Sequence, residues 1–195
     1  FYVSLYVQQI LGYSPVEAGA SFLPATILIA VLAPLVGRVV DRVGSRWLTG
    51  GGMTLLSLSL VVYSRLGTGS SYWDILPGLV LMGIGMALVM TPTTTAAMSS
   101  VPRDQAGVGS AVLNSMRQVG GSLGIAVTGA IVAHVTSTSL AAGDSRPEAF
   151  VHGFQRGLEI AALIALAGAV VAVATMRTHR PRELHADEPA LQEAA

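Results

Sequence analysis

The chain has 195 residues, of which 52% are hydrophobic and only 11% are charged, and it contains no cysteine. Soluble domains carry about 25% charged residues, and so small a charged fraction cannot cover a water-exposed surface. The formal net charge of zero removes the basic field that nucleic-acid binding requires. The absence of cysteine excludes disulfides and thiolate metal sites. The composition therefore predicts a membrane protein whose main partner is the lipid bilayer.

Six apolar segments follow one another along the chain, and a membrane-spanning helix needs about 20 such residues. The first segment begins inside an apolar run, so we interpret it as the truncated end of a helix. We expect helices at residues 1–10, 17–37, 46–65, 74–99, 105–135 and 152–176. The predicted fold is all-α, a polytopic transmembrane bundle of six helices with five complete spans.

The arginines are distributed unevenly between the two sides of this predicted bundle. If the six helices alternate in direction, seven arginines fall on one side and three on the other. Cytoplasmic loops carry an excess of basic residues, so the richer side is expected to face the cytoplasm. Residues 1–177 are then one transmembrane unit, and residues 178–195 form a polar cytoplasmic tail for which we expect disorder.

The fifth predicted helix carries small and polar residues at spacings of three and four, which place them on one face. These residues are Gly107, Ser110, Asn114, Arg117, Gly121, Gly124 and Thr128. Small residues let two helices approach closely, and Gly120 and Gly124 have the spacing of a helix–helix contact. We therefore interpret the glycines of this helix as packing residues.

Arg117 lies about 11 residues from the start of this helix, or roughly 17 Å along it. An arginine near the bilayer centre costs ~2.5–3.5 kcal/mol on insertion scales and stays protonated, so it must face a cavity or a partner. Asn114 and Gln118 lie on or beside the same face. Two interpretations remain open: these three residues line a transport pathway, or Arg117 is a structural residue bonded to helix carbonyls.

The segment between the second and third helices combines glycines, arginines and one aspartate. Its residues are Gly37, Arg38, Asp41, Arg42, Gly44 and Arg46. The simpler interpretation is an ordinary loop on the arginine-rich side. Alternatively, the Asp41 carboxylate caps a helix N-terminus or pairs with an arginine across a helix gap and latches one conformation. In that case the segment is a cytoplasmic gating loop.

The pattern Gly-x-x-x-Asp-Arg-x-Gly-x-Arg between two membrane helices resembles the loop motif of the major facilitator superfamily. Residues 11–24, 83–92 and 107–124 resemble, in the expected order, motifs of its drug:proton antiporter-2 branch, the 14-helix type. Within the second motif we assign Gly83, Gly85 and Pro92 to helix packing. The resemblance implies that the chain is one half of this fold, the C-terminal six helices.

The resemblance also implies a function. It indicates a proton-coupled efflux antiporter that exports drugs or hydrophobic metabolites by alternating access between two halves. The implied partners are a small hydrophobic or cationic substrate, protons, and the N-terminal half of the same transporter in the plasma membrane. We expect no cofactor, metal, nucleic acid or enzymatic activity, and no transport by this chain alone. The alternative is a non-transporting membrane scaffold or accessory subunit that binds partners through its helices.

Overall fold

The computed structural model describes residues 1–176, and these form helices joined by short turns, with no strand among them. The helices are α1 Tyr2–Gln9, α2 Pro15–Ser21, α3 Leu23–Val43, α4 Ser45–Tyr63, α5 Tyr72–Ser99, α6 Ala106–Ala141 and α7 Arg146–Thr175. The predicted all-α class is confirmed. The second predicted helix is interrupted at Phe22, because Pro24 in the first turn of α3 has no N–H to continue the α2 hydrogen-bond ladder. The predicted tail at 178–195 lies outside the described residues.

Four stretches of this structure are long and apolar enough to cross a membrane. They are Pro15–Val40, Tyr72–Ser99, Ala106–Ala141 and Arg146–Thr175. The sequence predicted five complete spans, and α4 falls short because Ser, Gly and Arg residues dilute its 19 residues. Two of its serines are buried and bonded to neighbouring helices. Ser57 Oγ donates to a carbonyl of α7 at 2.8 Å, and Ser59 Oγ donates to a carbonyl of α5 at 2.8 Å.

The end of α3 differs from its prediction. The helix continues from the expected end at residue 37 through Val43, because nothing breaks the backbone before Gly44. Gly44 has a φ of +87°, a conformation that favours glycine, and it alone separates α3 from α4. The prediction that this segment is a loop is therefore wrong, because Gly37, Arg38 and Arg42 lie on the last turns of α3.

The connection between α6 and α7 is also shorter than predicted. α6 runs for 36 residues to Ala141 instead of ending near residue 135, and the hydroxyls of Ser137 and Thr138 bond back to the carbonyl of His134. α7 begins at Arg146 instead of near residue 152. Its start is fixed by a capping box in which the N–H and Oγ of Ser145 donate to Glu148 at 3.1 and 2.6 Å.

The helices pack in the spatial order α3, α5, α4, α7, α6, and the apolar core lies mainly at one end. At that end the rings of Tyr6 and Phe154 stack with centroids 4.9 Å apart, and both side chains are fully buried. Gln155 Nε2 donates to the carbonyl of Leu66 at 2.8 Å across the same cluster. We call this the Tyr6 end, and we call the opposite end, which contains the α3–α4 turn, the Gly44 end.

Candidate functional site

α6 is held firmly by its neighbour only along its second half. Thr128 and Val132 are its two buried residues, and they contact Gly153 and Gly157 of α7. A Cβ on Gly157 would lie 2.7 Å from Val132 Cγ2, so α6 and α7 touch closely there. The Gly-x-x-x-Gly spacing of α7 was a sequence signal for this contact that the sequence analysis missed. Residues 106–127 lie outside this contact, and we call them the α6 arm.

A cavity of about 520 Å³ separates the α6 arm from the last turns of α5 at the Gly44 end. Small-molecule sites in proteins have volumes of about 300–1,000 Å³. The polar and small residues of the lining are Thr94 from α5 and Gly107, Ser110, Asn114 and Arg117 from α6. The structure thus brings the first half of the predicted α6 face to one cavity wall.

Arg117 reaches across this cavity to α5. Its Nη2 donates to Thr94 Oγ1 at 2.7 Å and lies 3.5 Å from the carbonyl oxygen of Met90. Two ion pairs occur among the side chains that the structure describes, and neither includes Arg117. The guanidinium lines a cavity, which agrees with the transport-pathway interpretation. It also bonds to a neighbouring helix, which agrees with the interpretation of Arg117 as a structural residue. Thr94 was not predicted, because its hydroxyl stands in a long uncharged run with no local signal.

The other two predicted pathway residues differ in their positions. Asn114 lines the cavity one helical turn from Arg117. Gln118 is exposed and is not among the residues that line the cavity. A transport role for these residues stays a prediction.

The remaining residues of the expected gating segment surround the α3–α4 turn. Arg46, in the first turn of α4, has its guanidinium carbon 5.4 Å from the ring centroid of Trp47. This distance is typical of a cation–π contact. Gly37 faces α5, where a Cβ would meet Thr91 Cγ2 at an ordinary 3.8 Å. The latch role of Asp41 stays a prediction.

Two of the expected packing glycines lie at close helix crossings. A Cβ on Gly83 would lie 2.9 Å from the carbonyl oxygen of Ala25 on α3. A Cβ on Gly85 would lie 2.9 Å from the carbonyl oxygen of Gly52 on α4. Real Cβ atoms do not approach backbone oxygens this closely, so α5 is held tightly between α3 and α4 at these positions. Pro92 is buried in the same helix.

The glycines of the α6 arm to which the sequence assigned a packing role have no such neighbours. A Cβ on Gly107, Gly120, Gly121 or Gly124 would meet no atom within 4 Å in the described structure. No helix in the described structure packs against these four glycines, so their packing role stays a prediction. The same surface carries exposed apolar side chains such as Val112 and Met116.

Comparison with known proteins identifies the family. Residues 1–125 match the Major Facilitator Superfamily. The chain belongs to this superfamily. The predicted family resemblance is thereby confirmed, and with its apolar spanning helices this superfamily member is a multi-pass membrane protein.

Several relatives in the superfamily are named for drug resistance. The chain is 36% identical over 137 residues to the Multidrug resistance protein Stp of Mycobacterium tuberculosis, covering 69% of this chain and 25% of that protein. It is 41% identical over 133 residues to the Tetracenomycin C resistance and export protein of Streptomyces glaucescens, with coverages of 68% and 25%. It is 34% identical over 169 residues to the Puromycin resistance protein pur8 of Streptomyces alboniger, with coverages of 85% and 34%. The chain thus spans a quarter to a third of the length of these relatives.

Proposed function

We propose that this chain is the C-terminal six-helix portion of a proton-coupled efflux antiporter that exports drugs or hydrophobic metabolites. Membership of the superfamily supports transport, and the names of three relatives support drugs as the substrate class. The chain spans only part of those relatives, so the proposal includes an N-terminal half that completes the substrate path. We place the protein in the plasma membrane on the basis of the family resemblance, and its C-terminus in the cytoplasm on the basis of the arginine distribution.

The observation that carries this proposal is the cavity between α5 and the α6 arm. Alternating access requires some helices to move against others around a fixed site. The α4–α5 crossing is too tight to slide, whereas the α6 arm contacts α5 chiefly through Arg117 and its bonds to Thr94 and Met90. Because few contacts hold the arm to α5, we propose that it is the part of this bundle that shifts when the two halves of the transporter move against each other. Arg117 and Asn114 then line the transport pathway on this moving wall.

The α3–α4 turn is the proposed gate at the Gly44 end. Gly44, with its φ of +87°, is the one residue between α3 and α4, so the last turn of α3 lies directly beside the start of α4 in the chain. Asp41 lies on that last turn. A carboxylate at this place can pair with an arginine of the N-terminal half in one conformation of the transport cycle and release it in the other. The relatives named for drug resistance favour this function over the scaffold alternative, which no feature of residues 1–176 favours.

The proposal is tested with the complete transporter in proteoliposomes, with an imposed pH gradient and a panel of fluorescent cationic, neutral and anionic drugs. We expect gradient-dependent dye movement, and we expect Arg117→Ala to reduce its rate about tenfold or more, since hydrogen bonds to charged groups are worth about 1.5–3 kcal/mol. Arg156→Ala is the matched control, because Arg156 is exposed and paired with Glu159 at 2.9 Å, away from the cavity. An absence of gradient-dependent movement across the whole panel would refute the antiporter. Normal transport by correctly inserted Arg117→Ala would reduce Arg117 to a packing role.

A further inference from the structure

The charge of the α5–α6 cavity points to a particular class of ligand. We infer that this cavity binds the anionic group, a carboxylate or an ionised phenol, of an elongated small molecule, with Arg117 as its main hydrogen-bond donor. This inference rests on the proposed function in that the ligand is a transported substrate. It also departs from the family resemblance, which implies substrates that are often cationic.

The first argument is the sign of the charge in the lining. Among the side chains that the structure describes, Arg117 is the one charged residue that lines the cavity, and none of these side chains brings a carboxylate to it. Asp104, the nearest acidic residue along the chain, precedes α6 and is absent from the lining. A guanidinium roughly 17 Å along a membrane helix stays protonated, so leaving it without a counter-charge is costly. An anionic ligand supplies that counter-charge, whereas a cationic ligand is repelled.

The second argument is the supply of hydrogen-bond donors. A guanidinium has five N–H groups in a planar fork that matches a carboxylate in two parallel bonds. Only Nη2 of Arg117 is used, in its bonds to Thr94 and Met90. Nε and Nη1 make no hydrogen bond to any side chain or backbone group that the structure describes, so one edge of the fork is available to a ligand. Asn114 lies one turn away on the same wall and can add a further donor.

The third argument comes from the other end of the cavity. The lining extends to Gly107 in the first turn of α6, about 15 Å from Arg117 at ~1.5 Å per residue. At that end a short 3-10 helix, Arg103–Gln105, which contains Asp104, runs directly into α6. Leu113 and Met98 lie between Gly107 and Arg117. The length and the apolar middle of the cavity fit an elongated molecule with an apolar body and its anionic group at the Arg117 end.

A pair of dyes that differ in one group tests the inference. Rhodamine 110 carries a free carboxylate, and rhodamine 123 is its methyl ester. The dissociation constants of both for the complete transporter are measured by fluorescence polarisation in phosphatidylcholine nanodiscs, after subtraction of the signal from protein-free discs. We expect Arg117→Gln to raise the Kd of rhodamine 110 about tenfold or more, from the strength of charge-assisted hydrogen bonds. The Kd of rhodamine 123 should change less than about threefold.

Three variants separate this role from a structural one. Arg117→Lys keeps the charge but loses the fork, and it should fall between wild type and Arg117→Gln for rhodamine 110. Thr94→Val should bind rhodamine 110 at least as tightly as wild type, because it frees Nη2. Arg156→Gln, which removes an exposed arginine far from the cavity, should leave both constants within about twofold. The inference would be overturned if Arg117→Gln raised the Kd of both dyes by the same factor. It would also be overturned if Thr94→Val bound rhodamine 110 as weakly as Arg117→Gln does.

Lipid is the other source of anions in a membrane. Replacing part of the phosphatidylcholine with phosphatidylglycerol should leave the Kd of rhodamine 110 within about twofold, because Arg117 is expected to lie deeper than the headgroups. If rhodamine 110 bound more weakly in the anionic discs for the wild type but not for Arg117→Gln, anionic lipid would be the ligand of Arg117. That result would overturn the small-molecule assignment. These measurements use no pH gradient, so their outcome is independent of whether the transporter couples substrate movement to protons.

Discussion

The crossing of α4 and α5 gives the sharpest prediction about stability. Gly52 and Gly85 face each other, so that a Cβ on Gly52 would lie 2.8 Å from the carbonyl oxygen of Gly85, and a Cβ on Gly85 would lie 2.9 Å from that of Gly52. Ordinary contacts begin near 3.4 Å, so Gly85→Ala forces two helix backbones apart by about half an ångström. Neither backbone has a rotamer with which to relieve the clash. Gly85→Ala therefore strains the central contact of the bundle.

The magnitude follows from two opposing effects. Overpacking a tight interior costs about 1–3 kcal/mol, and this clash belongs in the upper half of that range because its partner is backbone. Alanine regains about 1 kcal/mol through its higher helix propensity. The net loss of unfolding free energy for Gly85→Ala is then about 1–2 kcal/mol. Gly51→Ala is the matched control, since Gly51 is exposed with no atom within 4 Å of its Cβ position, and it should be neutral or stabilising by up to about 1 kcal/mol.

The assay is equilibrium unfolding of the purified protein in mixed detergent micelles, titrated with sodium dodecyl sulfate and followed by far-ultraviolet circular dichroism. The Gly52→Ala, Gly85→Ala double variant adds a second test. Once one Cβ has separated the helices, the second should cost less than it does alone, so the two losses should not add. A Gly85→Ala variant as stable as Gly51→Ala would show that the helices do not cross at these two glycines, and the reasoning would fail.

Two further predictions concern helix ends. Gly44→Ala should destabilise the protein by about 1–3 kcal/mol, because Gly44 has a φ of +87° and a ψ of +142°, a backbone conformation that residues with a side chain rarely adopt. Gly69→Ala lies in a turn with open space and no positive φ, so it should change stability little. Thermal unfolding of both variants measures the difference. Ser145→Ala removes the capping box with Glu148 and should lower stability by about 1 kcal/mol in the same assay. An unchanged Tm for Gly44→Ala would contradict the positive φ of Gly44. For Ser145→Ala, amide hydrogen exchange in the first turn of α7 that is no faster than in wild type would contradict the capping box.

The cavity wall was predictable in part. The spacing of Ser110, Asn114 and Arg117 placed them on one face, and that face does line the cavity. Their neighbour Thr94 was not predictable, because it lies 23 residues from Arg117 along the chain and only the packing of α5 against α6 brings it near. In the run Gly50, Gly51 and Gly52, only the rotation of α4 about its axis decides which glycine meets α5. A pattern read along one helix gives its faces but not the partner of each face.

The ends of the helices show a different limit. Counting apolar residues locates the part of a helix that contacts lipid, so it ended α6 near residue 135, six residues before its true end at Ala141. In the added turns the hydroxyls of Ser137 and Thr138 donate to the carbonyl of His134, so these polar side chains are accommodated in a helix where hydropathy predicts its end. The start of α7 was within reach of sequence, because Ser145, Pro147 and Glu148 together form a helix-start signal. Hydropathy and capping rules therefore have to be applied together.

The length of α6 has a consequence for what the protein presents to the water. Its 36 residues extend for about 54 Å, against roughly 30 Å of hydrocarbon thickness in a bilayer. A tilt of about 40°, the steepest commonly seen, still leaves a projected length of about 41 Å. About 10 Å of continuous helix must therefore lie beyond the hydrocarbon core, and the Ser and Thr residues at 136–139 are the polar part suited to it. With the capped start of α7 beside it, this forms a stiff helical hairpin outside the hydrocarbon core, and its tip is a surface on which an antibody fragment could be raised as a fixed handle.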